Sequence, residues 1–318
     1  SIPSLKLISG PSIKLIESIN PATQGYLGGM GLPIIFSWFI GGLLSAGVAF
    51  VIGKICLGLR SDYLAISTLL ISGIVISVIK HEEWLSRGVK NVIGLKRPAP
   101  FEVNLQKSEW FMTLIDKIHF WAPTTKDVII SSSGIFVKLC FTIIFSITLL
   151  TLLYLSERAV NSPWGRMMRA IRDNETSAKA MGKNIVKQQL NIFMIGSAII
   201  GFAGAMLVTY DGLFTPSSYQ PLRYTFLIWV MVLLGGSGNN YGSILGAFVV
   251  WFIWIESAPI ALFIINFCTF FLEYNNPVKL HLIESVPYFR YLMMGVGLLL
   301  VMRYKPEGLL PEKKISFK

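Results

Sequence analysis

Apolar residues in this chain arrive in long blocks separated by polar connections. Blocks at 34–58, 63–79, 133–156, 189–209, 223–235, 243–272 and 286–302 approach the ~20 residues that one helix needs to cross hydrocarbon. The second and fifth are short, and the sixth holds Pro259, where a kink is expected. The pattern predicts an all-α fold, a polytopic integral membrane helical bundle of about seven spans that makes one transmembrane domain over 1–318.

Two of the polar connections are themselves patterned. In the 157–188 connection, Ser162 and Pro163 read as an N-cap followed by proline at the first helical position. Trp164, Met167, Met168 and Ile171 then share one helix face, while Arg166, Arg169 and Arg172 point elsewhere. Asp173-Asn174 ends that helix and can cap a second short one closing at Gly182, a left-handed C-cap. Two small helices on a loop between spans suit contact with a partner. In the 80–132 connection, Trp110, Phe111, Leu114, Ile115 and Ile118 share a face behind Ser108, a candidate cap. That reads as an interfacial helix on the bilayer surface, with a lid over a transport path as the alternative.

Small residues repeat at four-residue spacing in Ser197, Gly201 and Ala205, in Gly238, Gly242 and Gly246, and in Gly41/Ser45 with Gly42/Ala46. Such stripes let helix backbones approach closely in lipid. The Gly235–Gly242 segment lacks the Lys-Ser/Thr pair of a phosphate-binding loop and reads as a tight turn between two helices. No nucleotide-hydrolysing motif occurs elsewhere. Charge at membrane depth is scarce: Glu256 sits inside the sixth block and Lys138 near the outer end of the third, and Glu256, near Pro259, is the candidate for a substrate path.

Composition agrees: 53% hydrophobic and 14% charged residues, against about 25% charged in soluble domains, with a mean hydropathy of +0.61. The net charge of +11 fits basic cytoplasmic loops better than nucleic-acid binding, for which no basic and aromatic interleaving is present. Cys56, Cys140 and Cys268 read as packing residues, and His81, His119 and His281 stand apart, so no disulfide frame, metal or cofactor is expected. The Pro/Gly/Ser-rich opening 1–33 carries no signal-peptide pattern and begins at Ser1, which suggests a missing upstream portion.

The 157–188 connection holds seven basic and three acidic residues, which places it in the cytoplasm. Lys54, Arg60 and the tail with Arg303, Lys305, Lys313, Lys314 and Lys318 then lie inside as well. The stretches 1–33, 80–132, 210–222 and 273–285 lie outside. The bare alternative is that Arg166, Arg169 and Arg172 only enforce this topology.

Four blocks carry a resemblance. They are Leu59–Leu69, Ser162–Gly182, Val232–Ala247 with its glycine-rich turn, and Arg303–Leu310. In this order they resemble the branched-chain amino-acid ABC transporter permeases of the LivM type. The second block is similar to the loop that couples such permeases to their ATPases. Thr176-Ser-Ala178 stands where importers often have Glu-Ala-Ala, with Glu175 one place away. The resemblance implies a bundle of the ABC importer permease type, truncated at its amino end, in a bacterial inner membrane. It implies as partners a second homologous permease, two cytoplasmic ATP-binding subunits and a periplasmic solute-binding protein. ATP would be hydrolysed on those partners, so the chain itself would not be an enzyme. Leucine, isoleucine and valine are the implied cargo, and Trp164, Arg166, Arg169, Arg172, Glu175, Ala178 and Gly182 the implied coupling residues. A urea or short-amide importer, or an ion-coupled secondary transporter or channel, are the alternatives.

Overall fold

A computed structural model describes residues 33–59, 61–82, 92–93, 97–118, 126–215, 221–271 and 276–312. The opening 1–32, Arg60, His119, Lys313, Lys314 and Lys318 lie outside the described residues. The chain divides into two compact units at Tyr219/Gln220.

The first unit runs α1 (Ile34–Cys56), α2 (Ser61–His81), β1 (Val92–Ile93), α3 (Glu102–Gln106), α4 (Glu109–Ile118), α5 (Lys126–Asn161), α6 (Pro163–Asp173), α7 (Glu175–Ala180), α8 (Ile185–Asp211) and β2 (Leu213–Phe214). Helices α1 and α8 pack most extensively, and small residues are the reason. A Cβ on Gly201 would meet the Gly41 carbonyl at 2.9 Å and the Ser45 side chain, so only glycine permits this approach. Ser45 Oγ donates to the Ser197 carbonyl at 2.8 Å, and Ala205 is buried with Trp38 and Met206. At the far end of the pair, Trp38 Nε1 donates to Thr209 Oγ1 at 2.9 Å, and that hydroxyl donates to the Ala205 carbonyl at 2.7 Å. A buried indole N–H thus finds its partner across the helix pair.

Helix α5 is longer than its apolar block at both ends. Its 36 residues extend about 54 Å, well past a ~30 Å hydrocarbon layer. The first half of α5 carries a small second core, in which Leu105, Phe111 and Ile115 bury against Val137 and Phe141. The face expected to lie on the bilayer surface is divided. Phe111 and Ile115 of α4 are taken up by protein, leaving Trp110 and Leu114 exposed. Ser108 precedes α4, but its hydroxyl donates back to the Leu105 carbonyl at 2.8 Å. A two-residue antiparallel pairing, Val92 with Phe214 and Ile93 with Leu213, ties this layer to the end of α8. Arg97 reaches the same end, within 2.8 Å of the position a Cβ on Gly212 would occupy, and pairs with Glu102 at 3.6 Å. A cation there complements the carbonyl end of the helix.

The second unit runs α9 (Pro221–Gly235), α10 (Asn240–Cys268), α11 (Pro277–Glu284) and α12 (Val286–Tyr304). Leu227, Val230, Leu234, Val250, Trp254 and Met294 form its core. Gly242 and Gly246 bring α10 against α9: a Cβ on either would strike the backbone of Gly235. Gly238 does not belong to that stripe. It lies in the turn before the cap Asn239, with φ +103°, because reversing the chain in four residues requires left-handed backbone. Six described helices are long and apolar enough to cross a membrane: α1, α2, α5, α8, α10 and α12. Helix α9, with 15 residues, extends only about 22 Å.

Candidate functional site

The 157–188 connection is folded at every boundary. Ser162 accepts the Gly165 N–H at 3.2 Å and Pro163 opens α6. Asn174 ends α6 and starts α7, its side-chain oxygen accepting the Ser177 N–H at 3.0 Å. At the end of α7, Gly182 has φ +75°; its N–H donates to the Lys179 carbonyl at 3.0 Å and the Lys183 N–H to the Ala178 carbonyl at 3.3 Å. That pair of bonds is the Schellman closure. Asn184 then caps α8 by accepting the Lys187 N–H at 3.1 Å. Each side-chain cap stabilises its helix by about 1 kcal/mol. The connection is therefore a shaped two-helix knob anchored to α5 and α8.

The apolar face of α6 turns inward: Ile171 is buried and Trp164, Met167 and Met168 are half-buried. Two of the arginines act within the chain. Arg166 Nη1 donates to the Asn161 carbonyl at 3.3 Å and Arg169 Nη2 to the Val160 carbonyl at 3.2 Å, which closes the last turn of α5. Arg172 pairs with Asp173 at 3.0 Å. The surface that remains outward is α7, with Glu175 exposed and Ala178 half-buried. Two residues of this knob escape a sequence reading. Met181, 81% exposed, forms its apolar tip; it falls outside the helical period of α6, so no face announces it. Gly165 lies where a Cβ would strike the Val160 and Ala159 carbonyls. Its signal was a glycine in the first turn of an otherwise well-patterned helix.

The third and fourth blocks of the sequence meet in space. The Leu309 N–H donates to the Leu234 carbonyl at 2.9 Å and the Leu310 N–H to the Gly235 carbonyl at 3.0 Å. The segment after α12 is thus a strap that satisfies the last carbonyls of α9, which no helical N–H can reach. Asn239 Nδ2 donates to the Pro311 carbonyl at 3.4 Å, and Glu312 lies against Gly238.

Glu256 and Lys138 stand in α10 and α5 as expected, half-buried and exposed. Trp254, two residues before Glu256, faces the core, so Glu256 points about 200° away around the helix. A further charge within a spanning helix, Arg290, lies in α12. Its guanidinium lies over the Trp254 ring at 5.6 Å.

Six long apolar helices and polar connections that fold as separate small units define a multi-pass helical membrane protein. Residues 18–302 match the family described as branched-chain amino acid transport system / permease component. The chain belongs to that family. It is 30% identical over 278 residues to a probable branched-chain amino acid transport permease protein LivM of Methanocaldococcus jannaschii, covering 86% of this chain and 68% of the relative. It is 25% identical to high-affinity branched-chain amino acid transport system permease proteins LivM of Salmonella typhimurium and Escherichia coli, covering 88% of this chain and 58% of each. The chain thus spans between about half and two thirds of these relatives' lengths. No solved structure matches it.

Proposed function

We propose that the chain is a permease subunit of an ABC importer for branched-chain amino acids, acting as one transmembrane permease domain in a bacterial inner membrane. It assembles with a second homologous permease, two cytoplasmic ATP-binding subunits and a periplasmic solute-binding protein. ATP is hydrolysed on the partners, and the permease supplies a bundle with two states. Nucleotide binding supplies the differential free energy that shifts one state to the other. Family membership and the shared naming of the three relatives support the cargo class.

The observation that carries the coupling role is the knob itself. A connection that served only to join two spans would need neither three side-chain caps nor a Schellman closure. Here α6 is locked to the end of α5 by Arg166 and Arg169, while α7 and Met181 project. A push on α7 therefore reaches α5 and α8 without being absorbed in a loose linker.

Ala178→Arg and Gly182→Val test this. The first adds bulk at the half-buried Ala178 of α7. The second puts a β-branched residue at φ +75°, where open space surrounds the site, so the effect is conformational, about 1–2 kcal/mol or more. Both keep the positive charge of the connection. The variants are expected to insert and pair with the second permease, yet to lose transport and substrate-stimulated ATP hydrolysis together. Normal transport in both would remove the knob from the mechanism. Uptake that collapsed with the ion gradient and ignored the ATP-binding subunits would point to a secondary carrier instead.

A further inference from the structure

We infer that Arg290, held against Trp254, recognises the carboxylate of the transported solute. The inference rests on the reading that the cargo is an amino acid, and it assigns a contact which that reading leaves open.

Depth comes first. The strap bonds fix one end of the unit, joining the tail after α12 to the end of α9 beside the start of α10. From Tyr304 back to Arg290, and from Asn240 up to Trp254, each helix rises about 21 Å. Both side chains therefore meet at one level, about 21 Å along these two spanning helices from the strap end. A cation at that depth is costly unless it finds an anion or a wet path.

Among the described residues no anion meets it. Arg290 Nε is buried with no hydrogen-bond partner, and no ion pair or hydrogen bond reaches its guanidinium from any described residue. Glu256 is the acidic residue closest in level, but the helical period directs it away from the Trp254 face. The guanidinium carbon lies over the Trp254 ring, 5.6 Å from its centroid, and the indole is itself buried in the core and edge-on to Tyr291 at 5.6 Å. The guanidinium edge keeps its N–H donors without a partner among the described residues. That edge matches the two oxygens of a carboxylate in a forked, bidentate pair, which a lysine ammonium cannot reproduce.

Phosphate of an outer lipid headgroup offers the same anionic oxygens, because Arg290 is only about 6 Å from the start of α12. The experiment separates the two sources. The chain, assembled with its partner subunits in phospholipid vesicles, is treated with phenylglyoxal, and modification of Arg290 is read by mass spectrometry. L-leucine at about ten times its dissociation constant is expected to lower modification roughly tenfold, while L-leucinamide at the same concentration does not. In parallel, R290Q should cut L-leucine uptake about ten- to a hundredfold, the range for a charged bidentate bond, with the complex still assembled, and R290K should restore little. Equal modification with and without leucine, together with R290Q uptake at the unaltered rate, would overturn the inference. So would protection that follows the phospholipid content of the vesicles and ignores leucine. A wild-type complex that hydrolyses ATP but moves no leucine, isoleucine or valine would instead overturn the cargo reading.

Discussion

The strap over α9 gives the sharpest energetic prediction. Gly308 is buried with φ +81°, and a Cβ there would strike the backbone of Gly236 and stand 3.0 Å from the Leu233 carbonyl. In Gly308→Ala the left-handed backbone costs about 1–2 kcal/mol. The clash is with backbone rather than a flexible side chain, so the strap must lift. Lifting breaks the Leu309 and Leu310 bonds to the α9 carbonyls, about 1 kcal/mol each. It also withdraws Leu309 from the core around Val230 and Val250. Lifting also relieves the strain, so the closed-to-open ratio of the strap falls by the strain alone, at least about 1–2 kcal/mol or roughly five- to thirtyfold. Hydrogen exchange followed on peptides covering 305–312 reads that ratio directly. Those amides should exchange faster by about that factor in the variant, while peptides from the middle of α10 keep their wild-type protection. Unchanged exchange at Leu309 and Leu310 would show that the strap does not close the end of α9 and that the reasoning from Gly308 is wrong.

Two further outcomes follow from the first unit. Gly201→Leu must push α1 from α8 against Gly41 and Ser45; an overpacked backbone contact of this kind costs about 3 kcal/mol, read as a lower melting temperature and a lower yield of assembled complex, and wild-type values would mean the helices tolerate separation. With the knob inside the cell, a cysteine placed at Lys183 should resist a membrane-impermeant thiol reagent in intact cells while one at Asn104 reacts; the reverse pattern would invert the orientation.

Much of this protein was legible in its order of residues. Apolar blocks of helix-spanning length dictate helices, because in hydrocarbon each backbone N–H and C=O must be satisfied within its own segment. Local rules reach as far as the knob: Ser162-Pro163, Asn174 and Gly182 mark helix ends through bonds made within four or five residues. The reading failed wherever the outcome depended on residues far apart in the chain. Nothing local says that Phe111 and Ile115 would find Val137 and Phe141 rather than a bilayer surface, since an apolar face is satisfied equally by lipid or protein. Arg166 and Arg169 are a short-range exception: the carbonyls they reach lie only five and nine residues back, but a long guanidinium side chain has no fixed partner that spacing announces. The glycine turn and the tail strap were visible as separate blocks, yet their hydrogen bonds join residues some seventy positions apart. Arg290 shows the limit most clearly: in sequence it is one basic residue near a span end, and only the packing of α12 on α10 sets it over Trp254 with its Nε buried and unpartnered.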